Sequence, residues 1–262
     1  MKLEKITDEL YVPEDFTKHH AYYADPEGEK QYTGVTTILG VIAKPALIQW
    51  AANEGVTAAI ARARAISKLG LPLTETLALI DATYDEARYA HRKKKEDAAE
   101  KGTDLHALVE EYVRRWIGGE HLWPDIPDKF KPIEAFIVWA RQNEIRFIAT
   151  EQRLYSKELW IAGTCDLIFE KDGKRYIGDI KTYKKLWDRV PLIQCAGYGI
   201  MWEEMFGEYD KTANLSNAID GYCVIRIKDN DFEVQWALEP ETDRKAFLAA
   251  VTLYRALQQW AA

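Results

Sequence analysis

Two aspartates and a lysine surround a strong hairpin signal in the middle of the chain. Asp172-Gly173 favours a two-residue turn between strands, and counting outward from it places Asp166 opposite Asp179. Opposed Cβ atoms lie about 5 Å apart, so two like charges would meet on one sheet face, which Lys181 would share. A divalent cation would cancel the repulsion, and hard oxygen ligands suit one or two Mg²⁺ or Mn²⁺ ions.

The same register creates favourable cross-strand pairs, namely Glu170 with Arg175, Phe169 with Tyr176, and Ile168 with Ile177. The opposite face would then be core, and it would carry Ile161, Cys165, Leu167, Phe169, Tyr176 and Ile180. Lys181 would orient or deprotonate the attacking water and help to neutralise a developing anion. The alternative is that both acids sit at an exposed edge or bond to backbone groups.

Glu151 is a third candidate carboxylate, on the strand that precedes Asp166. A two- or four-residue turn near residues 156–159 would put Glu151 on the same face as Asp166, because side chains alternate along strands. Glu151 would then join the catalytic group. The alternative is an ordinary solvated strand residue.

Two short motifs, Gly163-Thr164-Cys165-Asp166 and Asp179-Ile180-Lys181, follow each other along the chain. Together they resemble the D…(D/E)-x-K core of the PD-(D/E)XK nuclease superfamily. The chain is more specifically similar to the RecB-type branch, which adds a G-x-x-x-H motif, here Gly102 to His106, and a Q-x-x-x-Y motif, here Gln194 to Tyr198. Residues 32–39 and 47–50 resemble the openings of phage exonucleases and of the mitochondrial genome maintenance exonuclease.

The resemblance implies roles for individual residues. His106, Asp166 and Asp179 would ligate metal together with the backbone carbonyl of Ile180, and Lys181 would be the catalytic lysine. The substrate strand would be contacted by Gln194, Tyr198 and Thr182. Without the resemblance, a lone helical histidine is more often packed or solvated, and Gln194 and Tyr198 at i, i+4 could be plain helix packing. Glu110, four residues after His106, could orient its ring or be a solvated acid.

The cysteines argue against an iron–sulfur cluster. Cluster-bearing members of the branch need four cysteines, whereas this chain has Cys165, Cys195 and Cys223 at wide spacing. We expect all three to be small buried residues. Cys165 also stands where the superfamily's name has a proline, which the RecB-type branch tolerates.

An acidic protein needs a local basic face to hold DNA. The formal net charge is −7, so the average field repels a polyanion. Phosphate contacts are predicted for Arg92, Lys93, Lys94, Lys95, Lys184, Lys185 and Arg189. The run at 92–95 is alternatively a solvated helix face. Trp187 could stack on a nucleobase or belong to the core.

Helical and strand periodicities surround these residues. Helices are predicted over about 45–69, 74–117 with a break at Gly102, 132–143, 188–206 and from Pro240 onward. Hairpins are predicted at 19–33, extended by Val35 to Leu39, and at 222–238. Strands are predicted at 147–155, 160–171 and 174–181. The fold class is therefore α/β (mixed α+β), with a restriction-endonuclease-like core and a mostly antiparallel or mixed sheet flanked by helices. One domain would span 1–262, divided into an N-terminal hairpin and helical part, 1–120, that carries His106, and a sheet core, 121–262.

The expected function is a divalent-metal-dependent exonuclease that hydrolyses phosphodiester bonds at DNA ends, prefers single strands, and serves recombination or repair. The alternatives are a structure-specific endonuclease on the same core, or a non-catalytic DNA-binding partner of a helicase or annealing protein. A helicase or single-strand annealing protein is the expected protein partner. The N-terminus lacks the apolar stretch of a signal peptide and no segment is long enough to span a membrane, so we expect a cytoplasmic location in a bacterium or phage-infected cell.

Overall fold

The chain forms two compact units, Met1–Ile42 with Leu105–Ala262, and Ala43–Asp104. The computed structural model describes residues 2–16, 20–43, 45–120, 125–182, 189–207, 209–210, 215–228 and 231–261. The first unit contains the sheet and the second is helical. Residues 1–42 therefore belong with the sheet rather than with the helical part, and the assignment of a single domain stays a prediction.

Three consecutive strands form the centre of the sheet unit: β4 (Arg146–Ser156), β5 (Ile161–Lys171) and β6 (Lys174–Lys181). The Asp172-Gly173 turn joins β5 to β6, with φ of 51° and 72°, as a hairpin turn that matches strand twist requires. It pairs Lys171 with Lys174 and continues to Leu167 opposite Gly178. The predicted strands and the predicted register are thus confirmed over this stretch.

Within the described residues, the main sheet has six strands and mixed pairing. β9 (Gly221–Lys228) lies parallel to β6, β10 (Asp231–Trp236) pairs antiparallel with β9, and the short β3 (Thr33–Gly34) lies parallel to β5. The order is β10-β9-β6-β5-β3, with β4 also paired to β5. A further two-stranded pair joins β7 (Tyr209–Asp210) to β8 (Leu215–Ser216). The predicted α/β class with a mixed sheet flanked by helices is confirmed.

Helices cover the sheet through two separate hydrophobic cores. α7 (Val190–Phe206) and α8 (Pro240–Ala261) pack in one core, with Ile168 and Ile177 from the sheet. α6 (Glu134–Gln142), which follows a short 3₁₀ segment, packs in the other with Phe169 and the C-terminal part of α5 (Ala90–Ile117). The helices predicted at 132–143, at 188–206 and from Pro240 are confirmed.

The N-terminal region differs from its prediction in two places. A hairpin of β1 (Leu3–Thr7) and β2 (Leu10–Pro13) precedes the predicted one, which appears as a bridge between Tyr23 and Gln31. The extension of the latter hairpin through Val35 to Leu39 is wrong. This segment forms α1 (Val35–Ile38) and a 3₁₀ turn, because Val35 and Ile38, three residues apart, both enter the core beside α7.

The helical unit contains α2 (Pro45–Ser67), α3 (Leu73–Ala82), α4 (Tyr84–Arg88) and the first part of α5. The predicted break at Gly102 is wrong, since α5 continues through it. The breaks fall instead at Thr83 and Tyr89. An isolated glycine costs only about 1 kcal/mol in a helix, which tertiary context can offset. Across the described part of the chain, the helices are too short or too polar to cross a membrane.

Candidate metal centre

The candidate site lies where β6 separates from β5. β4 pairs along one edge of β5, so β3 and β6 must share the other edge. On that edge β3 takes Ile161 and Ala162, and β6 takes Leu167 to Lys171. Residues 163–166 lie between these two partner strands. They are Gly163-Thr164-Cys165-Asp166, the motif that supplies the first aspartate of the D…(D/E)-x-K core.

The alternation of side chains along β5 is interrupted at Asp166. Cys165 packs in the core with α7, whereas Leu167, two residues later, packs in the core with α5. On a regular strand, residues i and i+2 lie on the same face of the sheet. The prediction that Ile161 and Cys165 share the face of Leu167 is therefore wrong, and Asp166 sits where the strand changes face.

Glu151 occupies the same irregularity on the neighbouring strand. Thr150 pairs with Leu167 and Gln152 with Cys165, but the Glu151 backbone has a φ of 48°, which is uncommon for a residue other than glycine. The Thr150 hydroxyl donates a 3.0 Å hydrogen bond to the Asp166 carbonyl. Strain of this kind costs energy and clusters at functional sites.

Three side chains converge here with donors suited to a cation. One ligand atom each from His106, Glu151 and Asp166 lies within 4.8 Å of the other two. His106 Nδ1 is 3.8 Å from Asp166 Oδ2, and that oxygen also accepts a 2.7 Å hydrogen bond from the Ile180 backbone N–H. Glu151 and His106 thus lie beside Asp166, and their roles as catalytic and metal-binding residues stay predictions.

The electrostatics of the group favour a positive ligand. The pKa of Glu151 is raised from 4.5 to about 8, first by burial and then by the charges of Asp166 and Glu110, while the charges of Arg114 and Arg153 oppose the rise. Such a pKa shows a carboxyl that is poorly solvated and that also lies next to negative charge. A divalent cation between Glu151 and Asp166 would supply that compensation, and one imidazole with two carboxylates fits Mn²⁺ or Mg²⁺.

Asp179 and Lys181 form an ion pair outside this three-residue group. Asp179 is 2% exposed and its carboxylate bonds the Lys181 ammonium. Burial raises the pKa of Asp179, the Lys181 charge opposes this, and the Asp166 charge adds to it. The ladder between β5 and β6 ends one pair before Asp166 and Asp179, so a cation shared by these two carboxylates stays a prediction. The same holds for the Ile180 carbonyl, which accepts a 3.4 Å bond from Lys181 Nζ.

The predicted substrate pair on α7 is connected to the site. Gln194 Nε2 donates a 2.8 Å hydrogen bond to the Tyr198 hydroxyl. Burial raises the pKa of that hydroxyl well above its usual value, with the Asp166 charge adding to the effect. A Cβ on Gly163 would lie 2.7 Å from Tyr198 Cε1, so glycine is needed there for Tyr198 to approach β5. The i, i+4 spacing thus forms a connected pair, and its contact with a substrate stays a prediction.

The other predicted substrate contacts receive less support. Thr182 is half-buried after β6. Lys94 pairs with Glu54, the Arg92 guanidinium lies 4.1 Å from the centre of the Tyr89 ring, and Arg189 bonds Asp243 at 2.9 Å. These contacts fit a solvated surface as well as a DNA face. Outside the described residues lie Lys184, Lys185 and Trp187, and also the side chains of Lys93 and Lys95.

Two residues near the metal group were missed, namely Arg114 and Arg153. Glu110, for which the sequence left open a support for the His106 ring or a solvated acid, pairs with Arg114. Arg114 and Arg153 line a cavity that Glu151 also lines. Their spacing carried a signal: Arg114 is eight residues after His106 on one helix face, and Arg153 is two residues after Glu151 on one strand. The predicted burial of Cys165, Cys195 and Cys223 is confirmed.

Comparisons with known proteins add little. No model of a known family matches the chain, and no curated protein matches it. Among solved structures it is similar to one described as "Crystal structure of SSO0001", with 15% identity over 58% of this chain and 74% of that chain, and a TM-score of 0.25. The case for a function therefore lies in the geometry of the site.

Proposed function

We propose that this chain is a divalent-metal-dependent deoxyribonuclease that hydrolyses phosphodiester bonds at DNA ends. The observation that carries the proposal is the convergence of His106, Glu151 and Asp166 within 4.8 Å. This group adjoins the ion pair between buried Asp179 and half-buried Lys181, because Asp166 bonds the backbone N–H of Ile180 between those two residues. A carboxylate group beside a half-buried lysine suits phosphoryl-transfer chemistry better than a purely structural role.

His106, Glu151 and Asp166 would hold the cation, with Asp179 as a further carboxylate on the adjoining strand. When bound, Mg²⁺ or Mn²⁺ supplies Lewis-acid stabilisation of phosphate charge and an activated water. The Ile180 N–H fixes one oxygen of Asp166, so Asp166 is oriented before any ligand arrives. This pre-orientation lowers the entropic cost of assembling the site.

Lys181 acts on the reacting phosphate. Burial opposes its charge, but Asp179 and Asp166 together raise the pKa of Lys181, so it carries a proton at neutral pH. The Lys181 side chain is 23% exposed, so its ammonium can donate a hydrogen bond to a phosphate oxygen. This bond would stabilise the negative charge that develops in the transition state. Gln194 and Tyr198 would contact the strand from α7.

The resemblance to RecB-type nucleases supports the finer assignment: an exonuclease that prefers single strands, acts in recombination or repair alongside an annealing protein or helicase, and resides in a bacterial or phage-infected cytoplasm. The motifs of that branch occur here in order, and the three motif residues His106, Asp166 and Lys181 lie in the sheet unit.

The proposal is tested by cleavage of DNA substrates with Mg²⁺, Mn²⁺ or chelator. Linear single-stranded DNA should be degraded with either metal, and circular single-stranded DNA should resist. Asp166→Asn should abolish cleavage, whereas the matched control Asp172→Asn, in the turn of the same hairpin, should retain it, since asparagine favours this turn. Metal-independent cleavage, or full activity of Asp166→Asn, would contradict the proposal. Cutting of circles would identify an endonuclease instead.

A further inference from the structure

A cavity of about 360 Å³ opens beside the metal group within the sheet unit. Its volume falls at the small end of the roughly 300–1,000 Å³ range of ligand pockets. Two guanidinium groups, Arg114 and Arg153, and two carboxylates, Glu110 and Glu151, line it together with neutral polar and apolar side chains. Glu151 belongs to both the cavity and the metal group, so the two are continuous.

An aromatic wall fixes Arg153 in this cavity. The Arg153 guanidinium lies 5.0 Å from the centre of the Phe16 ring, within the range of an attractive cation–π contact. Phe16 packs edge-on against Tyr22 at 5.3 Å between ring centres. The Tyr22 hydroxyl is 3.0 Å from Thr164 Oγ1, two residues before Asp166. The position of the guanidinium is thus tied to the strand that carries the candidate metal ligand.

Arg153 retains hydrogen-bonding capacity for a ligand. Within the described part of the chain its ion pair is with Glu4, at 3.9 Å, and its side chain is 28% exposed. A guanidinium has five N–H donors arranged to grip phosphate or carboxylate in pairs. A half-buried group with donors to spare, held rigid on an aromatic ring, is suited to an anion.

The charge balance of the cavity points the same way. Arg114 pairs with Glu110, so these two charges cancel. Glu151 would be neutralised by the cation that it would share with His106 and Asp166. Arg153, balanced within the described residues by Glu4 at 3.9 Å, would then be the most weakly compensated charge of the cavity. Anion binding in the cavity and cation binding at the metal group should therefore reinforce each other.

We infer that this cavity binds the terminal phosphate of a nucleic-acid strand end, with Arg153 as its main anchor. The inference rests on the proposed function, which brings a strand to the adjoining metal group. Gln152 donates one amide hydrogen to the Arg153 carbonyl at 3.2 Å and keeps a second amide hydrogen for the same phosphate or its sugar. A site that grips a terminal phosphate selects ends over internal positions, which supplies a physical basis for exonuclease action.

The test measures binding of thymidine 5′-monophosphate and thymidine 3′-monophosphate by calorimetry, in Ca²⁺ and in chelator. We expect one of the two nucleotides to bind, more tightly with Ca²⁺, and thymidine without phosphate to bind much more weakly. Arg153→Gln should weaken nucleotide binding about tenfold or more, the usual cost of a charge-assisted hydrogen bond. The matched control, Arg146→Gln, changes an exposed arginine of the same strand that pairs with Glu170 and should bind as the wild type does.

A second measurement guards against misfolding of the variant. Arg153→Gln should bind Ca²⁺ alone within about threefold of the wild type, while the nucleotide should enhance Ca²⁺ affinity only in the wild type. Unchanged nucleotide affinity in Arg153→Gln would overturn the inference, and so would inorganic phosphate binding as tightly as the nucleotide, which would indicate a site for the free anion.

Cleavage assays separate this inference from the proposed function. Oligonucleotides with a terminal phosphate at the preferred end should be cut faster than those with a hydroxyl, and Arg153→Gln should lose this preference. Metal-dependent cleavage without the preference would overturn the cavity assignment and leave the nuclease intact. Arg153-dependent nucleotide binding without any cleavage would support a terminal-phosphate cavity and overturn the nuclease.

Discussion

Glu151→Gln should stabilise the metal-free protein and yet remove its response to divalent cations. Glu151 is held beside Asp166 and Glu110 in a half-buried position that raises its pKa to about 8. Its ionised form is therefore disfavoured in the folded state. Glutamine keeps the shape of the side chain but removes its charge and a ligand for the cation. The substitution should therefore raise the stability of the metal-free protein and lower the stabilisation by divalent cations.

The size and pH range follow from linkage. A carboxyl whose pKa rises from 4.5 to about 8 on folding costs about 5 kcal/mol once it is fully ionised, at 1.36 kcal/mol per pH unit. Partial exposure reduces this to about 2–3 kcal/mol. Between pH 4.5 and 8 the folded state binds the extra proton, so stability falls as pH rises through this window and is lowest above pH 8.

Chemical denaturation in chelator at pH 5 and pH 8.5 measures the effect. At pH 8.5 Glu151→Gln should exceed the wild type by about 2–3 kcal/mol, and at pH 5 the two should be nearly equal. Adding Mn²⁺ should stabilise the wild type by about 2.7 kcal/mol at a hundredfold excess over Kd, but not the variant. The control, Glu158→Gln in an exposed turn, should match the wild type throughout. A variant less stable than the wild type at pH 8.5 would refute the reasoning.

Three further outcomes are expected. Gly163→Ala should lower the free energy of unfolding by about 1–3 kcal/mol, because its Cβ would lie 2.7 Å from Tyr198 Cε1; denaturation that matches the wild type would argue against this contact. Asp179→Asn should abolish cleavage of linear DNA and leave the circular dichroism spectrum unchanged, and retained metal-dependent cleavage would exclude Asp179 from the site. If Lys93, Lys94 and Lys95 contact phosphates, replacing all three with alanine should flatten the slope of log DNA affinity against log NaCl concentration, measured with Ca²⁺, by roughly 0.7 per lost single-strand contact. An unchanged slope would mean that these lysines only form a solvated helix face.

Local signals were sufficient for the central hairpin. The Asp172-Gly173 turn has one favoured geometry, and it fixed the register of β5 and β6 as far as Leu167 and Gly178. The connection between β4 and β5 likewise has the predicted length, since Ser156 pairs with Ile161 across four turn residues. With a turn of this length, counting along the two strands places Glu151 next to Asp166. Period-2 alternation bounded by turn residues is therefore a reliable guide where strands are regular.

Alternation failed at the site itself. The backbone at Glu151 has a positive φ, and β5 changes face between Cys165 and Leu167. The irregularity in β5 leaves no recognisable pattern in the sequence, because residues 163–166 lie between two different partner strands, β3 and β6. Functional sites are where local rules are expected to break, and the faces of Ile161 and Cys165 were assigned wrongly for this reason.

Tertiary packing decided the remaining differences. Val35 to Leu39 is rich in β-branched residues, which favour a strand, but α1 buries Val35 and Ile38 in the core beside α7. α5 continues through Gly102, and the breaks fall at Thr83 and Tyr89, positions that helix propensity alone does not single out. Propensity is a weak prior that such contacts override.

The most direct test of the metal centre is pulsed electron paramagnetic resonance of bound Mn²⁺. Because His106 would coordinate the ion through an imidazole nitrogen, the wild type should show ¹⁴N coupling to Mn²⁺. His106→Gln should lose that coupling, and Asp166→Asn should lose tight Mn²⁺ binding. A wild-type protein that binds no Mn²⁺, or binds it without nitrogen coupling, would contradict the assignment of His106, Glu151 and Asp166 as a metal site.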